Sequence, residues 1–120
     1  MTIIYFSGNQ YKYTKVGCFK DTAHRSVAIL EGKDSILDGQ YHKRHRAIAK
    51  CAQVAWKRGY QVFSVQNGGQ CFSSNTAHST YNKYGKSSSC KSDGEGGPWS
   101  NDVYALSGWS MVLSFGFLIL

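Results

Sequence analysis

The sequence predicts an α+β domain, one main helix packed on a small antiparallel sheet and stapled by two disulfides. Three observations carry that expectation. Residues 40–58 repeat apolar side chains at spacings of three and four, the signature of a helix with one buried face. The segments around it are rich in β-forming residues and punctuated by turns, with 13 glycines against one proline and 14% aromatics. Four cysteines, Cys18, Cys51, Cys71 and Cys90, stand far apart with no Cys-x-x-Cys pair. That spacing gives no support to a zinc ribbon or a thioredoxin-like site, and in a small domain it reads as two disulfides made in an oxidising compartment. Four buried, reduced thiols in a cytosolic protein are the alternative. At 120 residues, 42% hydrophobic and 18% charged, the chain is one globular domain around one modest core, short for most cofactor-binding folds.

The elements follow in order. Residues 11–21 alternate in part and read as a first strand carrying Cys18. Residues 27–30 are a short apolar run, a second strand or a buried loop, and 34–40 are turn-like around Asp38-Gly39. In the helix, Tyr41, His45, Ile48, Ala52 and Ala55 share a face, with Cys51 and Trp56 beside them. Gly59 stops the helix, after Lys57 and Arg58 at its negative end. Residues 60–66 and 70–73 form a hairpin about Asn67-Gly68-Gly69, because Asn-Gly accepts the positive φ that a tight hairpin turn requires. Residues 74–89 read as a polar loop or short helical turn, 91–102 as a long glycine-rich loop, and 103–106 as the closing strand.

This divides the chain into an N-terminal extension (1–10), a module (11–106) and an apolar tail (107–120). The extension lacks the basic start and the apolar length of a secretory leader. The tail carries no charge. Residues 103–120, taken as a helix, would span about 27 Å against a hydrocarbon core of roughly 30 Å. A buried strand, an unrelated extension and a membrane-contacting anchor all remain open for it.

Fourteen basic and seven acidic residues give a net charge of +7. No Asp or Glu occurs from residue 39 to residue 92, where Lys43, Arg44, Arg46, Lys50, Lys57, Arg58, Lys83, Lys86 and Lys91 accumulate. A field of one sign attracts anionic glycans, nucleic acid or lipid head groups; a solvated helix face is the plainer reading.

Catalysis finds little purchase. The histidines are His24, His42, His45 and His78, and no Gly-x-Ser-x-Gly elbow accompanies them. Asp93, Glu95 and Asp102 could pair as acids only within a glycine-rich loop, so the chain is not read as an enzyme. His42 and His45 lie three apart, but His45 falls on the apolar helix face and reads as a core residue rather than a metal ligand. The oxygen-rich loop makes Asp93, Glu95 and Asp102 a calcium candidate without EF-hand spacing, against a simple turn region. Tyr41, Tyr60, Tyr81, Tyr84, Trp99 and Tyr104 are candidate sugar platforms, since a ring covers the apolar face of a pyranose while amides bond its hydroxyls. Against that, Trp56, Tyr60 and Trp99 could simply fill the core. The candidate ligand contacts are Asn67, Gln70, Trp99, Asn101 and Asp102, an amide-rich, aromatic-bearing set on the hairpin turn and the glycine-rich loop.

The succession Gly17-Cys18-Phe19-Lys20-Asp21 with Arg25 downstream, Ala49-Lys50-Cys51 on a helix ending at Gly59-Tyr60, then Phe63 and Gly69-Gln70-Cys71-Phe72, resembles the WSC domain over roughly residues 15–104. WSC domains are small extracellular cysteine-rich modules related in architecture to the PAN/apple group. The resemblance implies one helix on an antiparallel sheet and a carbohydrate-binding, lectin-like role in a secreted or cell-surface protein. The partner expected is a glycan or extracellular-matrix ligand, with no nucleic acid, and the chain is read as a monomeric module. A protein-binding matrix or receptor module and a small basic defence protein acting on membranes are the competing readings. The family usually carries about eight cysteines; this chain has four, and Ser73 stands in the second place of the family's Cys-x-Cys. The helix bearing Cys51 is expected to pack on the hairpin bearing Cys71, and the resemblance implies the same bridge. Cys18 is then left for Cys90.

Overall fold

The computed structural model describes residues 11–108. The extension 1–10 and the tail from 109 onward lie outside the described residues. The element order is β1 (Tyr11–Lys20), α1 (Ala47–Lys57), β2 (Val62–Gln66), β3 (Gln70–Ser73), α2 (Ala77–Thr80) and β4 (Ser100–Gly108), with 3-10 turns at Ser35–Leu37 and Tyr41–Lys43. The strands form one antiparallel sheet in the order β1-β4-β2-β3. This is the expected α+β architecture, and both disulfides are present, Cys18–Cys90 and Cys51–Cys71.

Every residue of β2 is buried, because both faces of the sheet are covered. Phe63 and Val65 face α1, in a core with Leu37, Cys51, Val54, Ala55, Cys71 and Tyr104. Val62 packs on the other side with Phe19, Val27, Phe72, Ala77 and Val103. The alanines at 47, 52 and 55 are fully buried, which lets α1 lie close on the strands. β1 is an edge strand whose lysines face solvent, and a bulge between Lys15 and Gly17 interrupts its ladder with β4; both devices discourage edge-to-edge pairing.

The helix is shorter than its periodicity predicts. It begins at Ala47, not at residue 40, because Arg44 turns inward. Its guanidinium donates to both Glu31 carboxylate oxygens (2.8 and 2.7 Å), to the Gly69 carbonyl (2.8 Å) and to the Leu37 carbonyl (2.5 Å). To bring it there, the chain passes through a 3-10 turn at Tyr41–Lys43 and takes Arg46 left-handed, at φ 54°. His45 is therefore exposed, correcting its assignment to the core. The other end is as expected. Gly59 (φ 78°) donates to the Trp56 carbonyl and Tyr60 to that of Ala55, the paired bonds of a glycine-terminated helix.

The hairpin closes on the Gln66–Gln70 pair, so its loop is three residues long. Asn67 and Gly68 have φ 53° and 90°. Gly69 is required for space: a Cβ there would lie 2.2 Å from the Tyr41 carbonyl oxygen. Residues 27–30 form no full strand. They lie along β3 instead, through Leu30 N–H to the Cys71 carbonyl and Ser73 N–H to that of Ala28, both 2.9 Å. The closing strand is longer than the predicted 103–106. It starts at Ser100 and ends with Ser107 and Gly108 paired to Lys12 and Tyr11.

Candidate functional site

At the end of the sheet where β4 begins, Gly97 and Ser100 exchange both backbone hydrogen bonds across Pro98-Trp99. Proline takes the first central position of this turn and Trp99 the second, at φ 51°, where glycine is the usual occupant. A bulky residue held left-handed costs about 1–2 kcal/mol. In return the indole is 53% exposed. One of its faces rests on the Arg25 guanidinium, 5.1 Å from the ring centroid, and Arg25 also lies over Phe72 at 5.2 Å. The Asp21 N–H donates to the Trp99 carbonyl (2.9 Å) and holds the turn in place.

Beneath the indole is a polar network. Asp21 Oδ2 accepts from Arg25 Nη1 (2.8 Å) and Gln66 Nε2 (2.9 Å), and Oδ1 accepts from the Ser26 N–H (3.0 Å). Gln66 Nε2 also donates to Asn101 Oδ1 (2.9 Å), and Asn101 Nδ2 reaches Ser26 Oγ (3.4 Å). Burial by itself pushes the Asp21 pKa up. The donors from Ser26, Arg25 and Gln66 outweigh it and hold the carboxyl below its ordinary range.

The five candidate contacts separate into two groups. Trp99 and Asn67 are exposed and Gln70 is half-buried. The Gln66–Asn101 pairing puts all three at the same end of the sheet, and Gly68 N–H to the Glu95 carbonyl (2.9 Å) ties the hairpin turn to the glycine-rich loop. Trp99 and Asn67 do not share a partner, however: the Asn67 amide points to the Tyr41 hydroxyl (3.4 Å). Beyond it lies a groove of about 360 Å³ lined by Glu31, Leu37, Gln40, Tyr41 and His42 among others. Asn101 and Asp102 are fully buried. Asn101 is spent in the network, while Asp102 pairs with Lys15 (2.9 Å) and accepts from the Gly96 N–H (2.8 Å). Neither side chain reaches the surface. The reason is that β4 starts three residues earlier than the sequence pattern suggests.

Nor do Asp93, Glu95 and Asp102 gather as a calcium site. Among the described residues the one cluster of three potential ligand side chains is Cys18, Cys90 and Asp102, and its two sulfurs are bonded to each other. The Asp93 carboxylate instead caps its own loop, accepting from the Glu95 N–H (2.9 Å). Burial, aided by Asp93, raises the Glu95 pKa. No helix among the described residues is long and apolar enough to cross a membrane.

Composition and periodicity do not single out Arg25, Gln66 or Ser26. Asp21 and Arg25 stand four apart, a spacing read as an ion pair on helices, but here they lie on an irregular segment. Gln66 looks like any alternating strand residue until both sheet faces are seen to be covered.

No curated protein matches the chain. The family model for the WSC domain matches residues 15–100, which include the Asp21–Arg25 pair, the helix-to-hairpin disulfide and the Trp99 turn. The chain belongs to the WSC domain family.

Proposed function

We propose that the domain binds carbohydrate in an extracellular or cell-surface setting, with the outer face of Trp99 as the platform. The observation that carries the reading is an exposed tryptophan in a backbone conformation that disfavours it, seated on a guanidinium. Strain of this kind persists where the surrounding structure imposes it, and it concentrates at binding sites. The lower face of the indole is occupied by Arg25, which leaves the upper one for the C–H face of a pyranose. Asn67 and Gln70, at the same end of the sheet, are the proposed hydroxyl-bonding amides, with Asn101 and Asp102 as buried supports. The two disulfides fit an oxidising compartment. The reading is one of binding rather than catalysis, and family membership supports it.

Glycan-array screening followed by calorimetry tests it. Trp99→Ala should weaken binding to the best glycan about tenfold or more, the worth of a lost aromatic stack. Undiminished binding would remove Trp99 from the site.

A further inference from the structure

We propose that the preferred ligand is an anionic polysaccharide, its sulfate or carboxylate groups held by a basic ribbon that runs from Trp99 to Lys83. This rests on the carbohydrate reading above and names the class of glycan.

The ribbon is continuous in space though not in sequence. Trp99 lies on Arg25, and the carbonyl of the adjacent His24 accepts from the Tyr84 hydroxyl (2.6 Å). The Lys83 ammonium sits over the Tyr84 ring, 5.2 Å from its centroid. Lys20 and Lys86 flank the same segment, since the Lys20 N–H donates to the Gly85 carbonyl (2.9 Å) and Phe19 bridges Lys86. Lys20, His24, Lys83 and Lys86 are all exposed.

Two features make this more than a scatter of surface charge. The acid tied into the ribbon, Asp21, has a fully buried side chain whose two oxygens are already committed to Arg25, Gln66 and Ser26, so its charge is offset by Arg25 and neither oxygen is presented to a ligand at the surface. Arg25 uses Nη1 for Asp21 and Gln66, while its side chain remains 32% exposed beside the indole. A planar guanidinium fixed next to a stacking surface suits an oxyanion carried on a pyranose ring. The aromatic rings interleaved with the cations supply contacts to the sugar rings between charged groups.

The test compares the whole protein binding to dextran sulfate, unsubstituted dextran, polygalacturonate and a single-stranded oligothymidylate, at about 0.15 M salt so that exposed charges beyond roughly 8 Å are screened. Arg25 supports the fold, so the informative variant is Lys20→Gln/Lys83→Gln, with Lys12→Gln/Lys33→Gln as a charge-matched control elsewhere. Binding to dextran sulfate or polygalacturonate should exceed binding to dextran, and the first variant should lose roughly tenfold of that affinity while the control keeps it. Whichever of the two polyanions binds tighter identifies the group as sulfate or carboxylate.

Equal loss in both variants would reduce the effect to net charge and overturn the proposal. Equal or tighter binding of oligothymidylate would overturn it in favour of a nucleic-acid surface. A neutral glycan on the array bound as tightly as its charged counterparts would also overturn it, while leaving the carbohydrate reading intact. Failure to bind any glycan, charged or neutral, would overturn both.

Discussion

Trp99 combines an unfavourable backbone with a side chain half in water. Its removal should affect binding and stability differently. Trp99→Ala forfeits an exposed cation–π contact worth about 0.5–1 kcal/mol but keeps the left-handed strain. Trp99→Gly relieves the strain as well and should be about 1 kcal/mol more stable than the alanine variant in chemical denaturation, with equally poor glycan binding. A glycine variant less stable than the alanine variant would mean that the turn is not strained. Asp21 is the second decisive residue. Its folded pKa is depressed, so its contribution is complete above its unfolded value, about 3.9, and is lost as pH falls through the lower folded value. Asp34, hydrogen-bonded by Lys57, acts in the same direction, whereas Glu95, shifted upward, opposes them slightly. Asp21→Asn should cost about 2–3 kcal/mol at pH 7, discounted for the partial exposure of Arg25. The gap from the parent should close in urea titrations below about pH 4. A gap that persists unchanged into acid would show that the carboxylate charge is not what matters.

Elements inherit these local decisions. The start of α1 is determined by Arg44, whose four bonds to Glu31, Gly69 and Leu37 outweigh the two extra helical turns that the apolar pattern offers. Arg46 bears the cost, left-handed and with no side-chain cap. Arg46→Gly should therefore stabilise the domain by about 0.5–1 kcal/mol, measured as a higher urea midpoint at unchanged slope. An unchanged or lower midpoint would show that the position is not strained. β4 is the organising strand, paired with β1 along nine positions and with β2 along five. Because Ser107 and Gly108 are paired with β1, a chain spanning residues 11–108 is expected to fold as a unit with cooperative thermal unfolding. Ending it at Leu106 would remove those last two pairs and should lower the midpoint.

At the scale of the molecule, the two disulfides join different parts of the fold. Cys51–Cys71 ties α1 to the hairpin across a separation of 20 residues and is fully buried. Cys18–Cys90 ties the edge strand to the loop before β4 across 72 residues and is partly exposed. Loop-closure estimates put their contributions at about 3 and about 4 kcal/mol, as upper bounds. Because exchange requires access to sulfur, a mild dithiol should open Cys18–Cys90 first, and timed alkylation with peptide mapping would show which cysteines are labelled early. Early labelling of Cys51 and Cys71 would mean that the α1-side core opens more readily than its burial implies. Opening the outer bridge loosens the segment on which Lys83 and Tyr84 sit, so loss of polyanion binding should accompany it.

Much of this fold is legible in 120 residues. The helix stop at Gly59 and the Asn67-Gly68 turn are local facts set by backbone sterics, and the bridge from helix to hairpin is what the family resemblance implies, whereas β1, which alternates in part in sequence, does not alternate in burial, residues 12–16 all being exposed. Trp99 in the glycine-rich loop is legible as a ligand candidate, but its exposure is decided only by the fold, since the same ring could have filled the core. What sequence pattern alone does not reach is anything decided by a partner distant in the chain. His45 fits the helical period, yet it is exposed because Arg44 finds Glu31 thirteen residues away. Asn101 and Asp102 look like loop polars, yet they are buried because β4 takes them into the sheet, where Gln66 bonds Asn101 and Lys15 forms an ion pair with Asp102. Arg25 acquires its place only when Phe72, Gln66 and Trp99 converge on it from separate segments. Periodicity records which face of an element is apolar. The pairing of buried polar groups, which must be satisfied wherever they lie, is decided by the tertiary structure.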